Sequence, residues 1–577
     1  MKHYTVLLLI VVLPALVLAS AGEAAAEPAA GDATLTGTLT VIYGDPQPDA
    51  AEPAPLVHYV LQLQDGRALR LLPGVVPEET LRRLNGSRVV VSLPAAEAAA
   101  AEEETSGVPS GATPNAISLA PGATVAPAAV IGNTKWITIA CKFADAPQEP
   151  YPITFFEEMY ANTYPGLDHY WREASYGQMN LEGSGAVGWY TLPHTVAEYS
   201  DHANSVVRDC LWLADPDVYF PDYYGVIMIV NVNYTGYAWG GNLASWTFDG
   251  VIRSYQFAAV PGEDFWDQST LQHEMGHAYG WLHSYAGTNQ YGDPWNVDSR
   301  ASYGCPGRLD DPDDTCIGQH TNAYNRYQAD WIADSRVYVA GRAPDGGSAT
   351  HTLTLERATL PGPNGYLLAI VPINGSTTHF YTVEARQQVG YDTKLPGEAV
   401  IIYEIGWPKV YTQQLVDLSL YDVGDGESAM WRPGEAFGSA EAGVIIRVDA
   451  ATATGFTVTI FNGGVESRTV SLTPVADAYA REERPDAPAN TATLVVQGAA
   501  PRRWAALRFD DSQIPSAAYR LRLQMTATGG SADDPGHAYT QPAHSICWTG
   551  GVWSETALNW NTFLPPNCPN YSTTYAQ

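Results

Sequence analysis

Three histidines and one glutamate stand in one short segment with the pattern His-Glu-x-x-His-x-x-Gly-x-x-His. His273 and His277 are four residues apart, so a helix places both imidazoles on one face. Gly280 allows the chain to leave that helix through a left-handed turn, after which His283 can return to the same point. Three imidazoles converging on one ion are typical of a catalytic zinc that keeps one position for water. Glu274 is placed to take a proton from that water, so the spacing predicts a zinc hydrolase.

Chance does not account for this pattern. With 13 histidines in 577 residues, the full pattern is expected to occur at random roughly 3 times in 100,000 such chains. A structural zinc and a catalytically inactive site are the two alternatives to a catalytic ion. A structural zinc normally has protein at all four positions, so three histidines beside a glutamate favour the catalytic ion.

The elements around the motif alternate between strand and helix. The apolar run Tyr224–Val232 predicts a central sheet strand, and Trp136–Ala140 predicts a second buried strand. Helical spacing marks Phe155–Tyr164 and Val196–Leu213, and the motif helix should begin near Asp267 or Ser269. A mixed α/β layer that ends in the zinc helix fits a sheet with helices packed against it.

The motif is the metzincin signature, and further segments are similar to gametolysin-like and bacterial immune-inhibitor-type secreted metallopeptidases. These segments are His320–Trp331, Phe380–Arg386, Gly390–Asp392 and Leu395–Gly397. The resemblance covers about residues 134–460. It implies an α+β catalytic domain with a twisted mixed sheet, an active-site helix and a cleft along an edge strand. A peptide substrate would lie antiparallel to that edge. Zinc would be held by His273, His277 and His283, with Glu274 as the catalytic base.

The chain departs from this family at one position. Metzincins have a turn with a methionine beneath the zinc, and in the similar proteins it follows a run like Tyr291–Val297. Here the next residue is Asp298, and no methionine occurs between Met275 and Met430. The methionine is a packing platform, so its replacement concerns the geometry of the site more than zinc binding. Asp298 is expected to be a surface turn residue, or else a hydrogen-bond partner of a ligating imidazole.

Three segments precede the motif domain. Residues 1–21 have the apolar run and the small-x-small cleavage pattern of a signal peptide. Residues 36–94 have β-branched, alternating runs separated by turn signals such as Gly44-Asp45-Pro46, and predict a small β-rich unit. This unit is either a propeptide or a permanent domain. It contains no cysteine, so a propeptide thiolate on zinc is excluded. Residues 95–132 are rich in Ala, Glu, Pro, Ser and Gly and predict a linker.

The segments after the motif domain are rich in strand signals. Short alternating runs over residues 336–462 predict a β-sandwich-like domain that follows the catalytic domain of residues 134–335. Residues 466–577 resemble the DNRLRE-type β domain of bacterial surface and secreted proteins, and the copy could be incomplete. That resemblance implies a carbohydrate-binding or adhesive module, and a plain spacer is the alternative. The fold expected is therefore an α+β catalytic domain between a small β unit and C-terminal β-sandwich domains.

Composition limits the remaining possibilities. A net charge of −32 argues against a nucleic-acid partner. Six cysteines in an exported chain favour disulfides, and spacing suggests the pairs Cys305–Cys316, Cys547–Cys568 and, by remainder, Cys141–Cys210. A cluster of four aspartates could bind Ca²⁺, although a solvated loop accounts for it as well: Asp310, Asp311, Asp313 and Asp314.

These observations predict a secreted zinc endopeptidase that hydrolyses extracellular proteins or glycoproteins. No membrane association is expected once the signal peptide is cleaved. The alternative is a catalytically inactive, metzincin-like protein that binds a surface or a carbohydrate. Asp298 favours the alternative, and the intact Glu274 favours the peptidase.

Overall fold

The fold is known from a computed structural model. It describes residues 31–501, 503–508, 544–547 and 571–574, with these gaps before 501: 47–55, 66, 100–101, 104–110, 124–128, 200–202, 263–267, 288, 302–315, 407–408, 415–428, 440, 464–472 and 489–500. The predicted signal peptide and the four candidate calcium aspartates lie outside these residues. In the described part of the chain, every helix is too short or too polar to cross a membrane.

The N-terminal unit is a small β structure with two short helices. Its elements are β1 Asp32–Pro46, β2 Leu56–Leu63, β3 Arg67–Leu71, α1 Glu78–Arg83, β4 Arg88–Pro94, α2 Ala95–Ala98, β5 Glu102–Glu103, β6 Gly111–Ala112 and β7 Ala116–Leu119. Strand β1 pairs antiparallel with both β2 and β4, so it organises the whole unit.

The unit is larger than the sequence predicted. Composition favoured a linker over residues 95–132, but β7 pairs with β4, and β6 pairs with β3. The short alternating run Ala116–Leu119 finds a partner at the open edge of β4, a contact that an average composition hides. The first strand also begins before residue 36, at Asp32.

The motif lies in a second unit of mixed strands and helices. Its elements are β8 Gly132–Asn133, β9 Trp136–Lys142, α3 Ile153–Glu158, α4 Leu167–Ala174, β10 Met179–Asn180, β11 Gly185–Thr191, α5 Val196–Tyr199, α6 Ala203–Ala214, β12 Gly225–Val230, β13 Tyr237–Phe248, β14 Val251–Pro261, α7 Gln268–Ala278, β15 Tyr285–Ala286, α8 Val297–Arg300 and α9 Ala323–Gln328.

One large sheet joins the first two units, with the strand order β11-β9-β12-β14-β13-β1-β2-β3-β5. Strands β9, β12 and β14 are parallel, and β13 runs antiparallel beside β14. Alternate residues of β12 enter two different cores. Ile227 and Ile229 pack with Leu271 and Met275 of the motif helix, whereas Met228 lies in the core on the opposite face. Both faces are covered, which is why β12 is apolar throughout.

A third group of strands forms two sheets around a shared apolar core. The strands are β16 Val337–Val339, β17 Ala349–Glu356, β18 Leu368–Pro372, β19 Phe380–Arg386, β20 Ala399–Gly406, β21 Lys409–Gln414, β22 Ala436–Ser439, β23 Val444–Thr452 and β24 Gly455–Asn462. The sheet orders are β15-β21-β20-β19-β18-β16 and β17-β24-β23-β22. Because β15 follows the motif yet pairs with β21, this group is joined to the motif unit rather than separate from it.

Two further hairpins lie in the C-terminal segment. Strand β25 Ala476–Arg481 pairs with β26 Arg503–Arg508, and β27 His544–Cys547 pairs with β28 Tyr571–Thr574. Most of the segment that resembles a DNRLRE-type domain, including Trp553 and Trp560, lies outside the described residues.

Cys141 and Cys210 form a disulfide between β9 and α6. Both cysteines are fully buried, so the bond fastens the helix to one face of the sheet. The predicted pairs Cys305–Cys316 and Cys547–Cys568 involve side chains outside the described part of the chain.

Candidate metal centre

Helix α7 carries two of the motif histidines into the interior. Met275 and Leu271 face the sheet core, and the helix ends in a turn at Gly280, whose φ is +96°. The N–H of Trp281 donates to the carbonyl of Gly276, and the N–H of Gly280 donates to that of His277, which is the hydrogen-bond pattern of a glycine C-cap. The turn reverses the chain so that His283 faces the helix, as the spacing predicted.

The three histidine side chains converge on one point. The Nε2 atom of His277 lies 3.1 Å from that of His273 and 3.0 Å from that of His283, and the remaining pair is 3.2 Å apart. All three residues are buried.

The opposite ring nitrogen of each histidine faces an oxygen acceptor. The Nδ1 of His273 donates to the carbonyl of Val297 at 2.7 Å, and that of His277 to the carbonyl of Trp281 at 2.8 Å. The Nδ1 of His283 donates to Oε1 of Gln290 at 2.9 Å. These bonds place the proton of each neutral imidazole on Nδ1. Three Nε2 lone pairs therefore point at one another with no proton between them.

This donor set fits a zinc ion. Zn–N bonds of about 2.0–2.1 Å in a tetrahedral site place the ligand nitrogens about 3.3 Å apart, close to the distances observed between the Nε2 atoms. Carbonyl and amide acceptors behind the ring nitrogens are the outer-shell support that zinc-binding histidines require. A cation at the centre also removes the repulsion among the three lone pairs.

An aspartate from the N-terminal unit stands at a fourth corner. The Oδ1 of Asp45 is 3.1 Å from Nε2 of His283, and its Oδ2 is 3.4 Å from that of His273 and 3.3 Å from that of His277. Among the described residues, Asp45 and the three histidines are the group of side chains that could hold a metal ion. Asp45 stood in the sequence only as part of a turn signal, and nothing local to it indicated a ligand.

Burial and charge act in opposite directions on this cluster. Burial alone would raise the pKa of Asp45, but in the protein without a metal ion the charge of His283 and hydrogen bonds from protonated Nε2 atoms of the histidines hold it well below its usual range. Burial raises the pKa of Glu274 well above its usual range, and the nearby Asp45 carboxylate raises it further. Glu274 therefore holds its proton more tightly while the Asp45 carboxylate is present.

Glu274 is buried, and neither of its carboxylate oxygens has a hydrogen-bond partner. It lies under strand β13 at Gly240, where a Cβ atom would stand 2.7 Å from Oε2 of Glu274 and 2.8 Å from Cβ of His277. Glycine is needed here because the strand passes directly over the helix. An unpaired buried carboxylate beside three converging imidazoles is available for proton transfer.

Asp298 does not match either expectation from the sequence. It is fully buried rather than in a surface turn, and its Oδ2 accepts from the Thr321 hydroxyl at 2.6 Å and from Asn325 Nδ2 at 3.1 Å. The imidazole of His273 bonds the backbone carbonyl of the preceding residue, not this carboxylate. Burial raises the pKa of Asp298 to about 6.

Asp298 and Gly276 form a tight contact beneath the metal ligands. A Cβ atom at position 276 would lie 2.0 Å from Oδ1 of Asp298 and 3.2 Å from the Trp281 ring. The motif helix therefore needs glycine at position 276 because the aspartate packs against its backbone.

Replacing Gly276 by alanine is expected to lower the free energy of unfolding by about 1–3 kcal/mol, because the buried neighbours must move. Alanine favours a helix, so the loss measures the clash with Asp298. Urea unfolding of Gly276→Ala, of Asp298→Ala and of the double variant tests this, with Gly341→Ala, whose Cβ meets no atom within 4 Å, as the control. If the double variant loses as much unfolding free energy as the two single variants together, the contact is not responsible.

The sheet edge beside the three motif histidines is already occupied. Strand β13 is the outer strand of the motif unit's part of the large sheet, and β1 lies antiparallel to it. The register pairs Asp45 with Ala238, Gly44 with Trp239 and Tyr43 with Gly240. The sequence did not predict the β13–β14 hairpin, whose strands mix aromatic, glycine and polar residues without clear alternation.

Other histidines lie away from the metal ligands. The Nδ1 of His169 bonds the hydroxyl of Tyr391 at 2.9 Å, and His194 is exposed near Glu198. His320 is buried, and its Nε2 lies 3.0 Å from Oε1 of Glu173. These positions give the three histidines packing or surface roles.

His320 is expected to make stability depend on pH. Burial lowers its pKa below 6.5, and the Arg326 charge lowers it further, whereas Glu173 and Asp392 act in the opposite direction. In the unfolded chain this histidine gains a proton as pH falls through 6.5, whereas in the fold it gains that proton only at a lower pH. Its contribution to the free energy of unfolding is therefore complete above the unfolded pKa. Below that pKa the contribution falls by up to about 1.4 kcal/mol for each pH unit.

The measurement is urea unfolding of the zinc-loaded wild type and of His320→Gln at several pH values between about 5 and 8. The difference in unfolding free energy between them should shrink as pH falls. A difference that stays constant over this range would contradict the buried neutral state of His320.

The chain was compared with protein-family models, curated proteins and solved structures, and none of the three comparisons found a match.

Proposed function

We propose that the protein is a zinc-dependent endopeptidase of the metzincin type. One observation supports this most strongly: the lone pairs of His273, His277 and His283 converge beside the buried, unpaired carboxylate of Glu274. The resemblance of the motif to the metzincin signature points to the same activity.

The chain's own residues divide the work. Zinc, when bound, polarises the scissile carbonyl and makes a water acidic enough to act as a nucleophile near neutral pH. Glu274 accepts the proton from that water and delivers it to the leaving amine. The hydrogen bonds behind the three imidazoles hold the ligand geometry during turnover. The edge of strand β13, which β1 covers in this structure, is where a peptide would lie antiparallel.

Asp298 is compatible with this activity. Its carboxylate is held by Thr321 and Asn325 under the helix, so it supports the ligands by packing, as a methionine would in related sites. The proposed setting is extracellular, with proteins or glycoproteins as substrates. Carbohydrate binding by the C-terminal segment, and calcium binding by the four aspartates among residues 310–314, remain separate proposals.

Because β1 covers the edge of β13, the test is zinc content and peptide cleavage by the wild type and by Asp45→Ala, each before and after limited proteolysis that removes the segment before residue 129, with and without 1,10-phenanthroline. We expect one zinc per chain and chelator-sensitive cleavage of casein or a mixed peptide library once that segment is removed. A zinc-loaded chain that cleaves nothing after its removal would contradict the proposal. It would favour the alternative, an inactive metzincin-like binding protein.

A further inference from the structure

Asp45 approaches the metal ligands from a separate unit of the fold. Its four-residue segment Tyr43–Pro46 pairs antiparallel with Tyr237–Gly240 of β13. This is the direction and position that a bound peptide would take if β13 is the substrate-binding edge. The N-terminal unit thus occupies the edge with its own backbone.

The carboxylate is also in a state that calls for a cation. Asp45 is buried, and its Oδ2 has no hydrogen-bond partner. Its Oδ1 accepts a hydrogen bond from the Tyr291 hydroxyl at 2.5 Å, which orients the group towards the imidazoles. An unpaired carboxylate oxygen in the interior is costly unless a positive charge compensates it. Carboxylate oxygen is an accepted zinc ligand.

From these contacts we propose that Asp45 is the fourth ligand of the zinc, and that the N-terminal unit (residues 31–123) holds the site in a closed, latent state. The inference rests on the proposed function, since it concerns the same metal. The carboxylate stands where water would bind, and the strand that carries it stands where the substrate would lie. Water and peptide gain access together when this unit is displaced or removed.

Several contacts fasten the unit around the site. The Tyr43 ring stacks on His277 with centroids 4.4 Å apart. Arg82 Nη1 donates to the Tyr43 hydroxyl at 3.2 Å, and Asn85 Nδ2 donates to the Gly280 carbonyl at 3.4 Å. Gln62 Nε2 bonds Oδ1 of Asn242 in β13 at 3.0 Å. Contacts made by strands β1 and β2 and by helix α1 therefore hold the segment that carries Asp45 in place.

The cores show that the unit is separable. Its own apolar core contains residues from Ala33 to Leu119, and Leu282 is the member that comes from the motif unit. Among the described residues, the two cores on either side of the motif unit's strands include nothing before Val130. Loss of the N-terminal unit would thus leave the packing of the motif helix in place, as a removable inhibitory segment requires.

The test uses the full-length chain loaded with Co²⁺, whose visible absorption reports on the coordination sphere. Acetohydroxamate, a small zinc-binding anion, is titrated into the wild type and into Asp45→Ala. Because a tethered ligand competes at high effective concentration, the wild type should bind acetohydroxamate at least roughly 100-fold more weakly. Asp45→Asn keeps the size of the side chain and should also open the site. Asp65→Ala changes an exposed aspartate of the same unit and should behave as the wild type.

Equal acetohydroxamate affinity for the wild type and Asp45→Ala would overturn the inference, as would loss of the metal from both Asp45 variants, which would make the aspartate a permanent structural ligand. Failure of every chain to bind Co²⁺ or Zn²⁺ would overturn the metal site itself. An Asp45→Ala chain that binds acetohydroxamate tightly but cleaves no peptide even after proteolytic removal of the N-terminal unit would support Asp45 as the closing ligand while contradicting the peptidase.

Discussion

Replacing Glu274 by glutamine should lower kcat for peptide cleavage by roughly 10²–10⁴-fold while leaving the zinc in place, because a positioned general base contributes that much. Glutamine keeps the shape of the side chain but cannot accept the proton. The three histidines that we propose as zinc ligands are not changed. The two effects can therefore be separated in one set of proteins.

The measurement compares Asp45→Ala with Asp45→Ala/Glu274→Gln after proteolytic removal of the N-terminal unit, so that the fourth position and the edge of β13 are open in both. Zinc content is determined on the same samples, and kcat is taken from a fluorogenic peptide that the open chain cleaves. Glu198→Gln on the Asp45→Ala background is the matched control, since Glu198 is an exposed glutamate in helix α5 of the motif unit. An unchanged kcat in the Glu274 variant would remove this residue from the reaction.

Replacing Arg386 by methionine should lower the free energy of unfolding by about 3–5 kcal/mol, because it leaves buried carboxylates without their counter-charge. Arg386 is fully buried. Its guanidinium donates to both oxygens of Asp392, at 2.9 and 2.8 Å, and to Oε1 of Glu384 at 3.0 Å. It also donates to the carbonyl of Trp295 at 2.6 Å, so it ties strand β19 to the loop after the motif.

Urea unfolding at neutral pH measures this change. Arg447→Met is the matched control, because that arginine is half exposed and pairs with Asp449 at the surface, where a pair contributes about 0–1 kcal/mol. Zinc retention should fall in the Arg386 variant at a lower urea concentration than in the control. Equal losses in the two variants would show that the buried network is not a main support of the fold.

The network also brings together the distant segments on which the resemblance to secreted metallopeptidases was based. Arg386 and Asp392 close to form a buried pair, and His320 receives a hydrogen bond from the Arg386 guanidinium at its carbonyl. The Phe380–Arg386, Gly390–Asp392 and His320–Trp331 segments are thus one structural unit beneath the metal centre. Their chemistry was visible in the sequence, and their contact was not.

What the sequence determined by itself is local. The histidines and glutamate of the motif lie within a single helix and the turn after it, and their geometry follows from the helical repeat and from the freedom of Gly280. The strands β9 and β12 were also predicted to within two residues of the bounds they have, since a continuous apolar run is a property of adjacent residues. Local rules suffice for these features because each involves only neighbours in the chain.

The tertiary structure decided what completes the site. Asp45 and Tyr291 are 246 residues apart, yet share a hydrogen bond beside the metal ligands. Asp298, expected at the surface or on an imidazole, is buried against Gly276. The sequence favoured a zinc with an open fourth position, whereas the fold places a carboxylate there. Strand pairing sets these contacts, and the partner of an edge strand is chosen by the whole sheet rather than by the residues on either side of it in the chain.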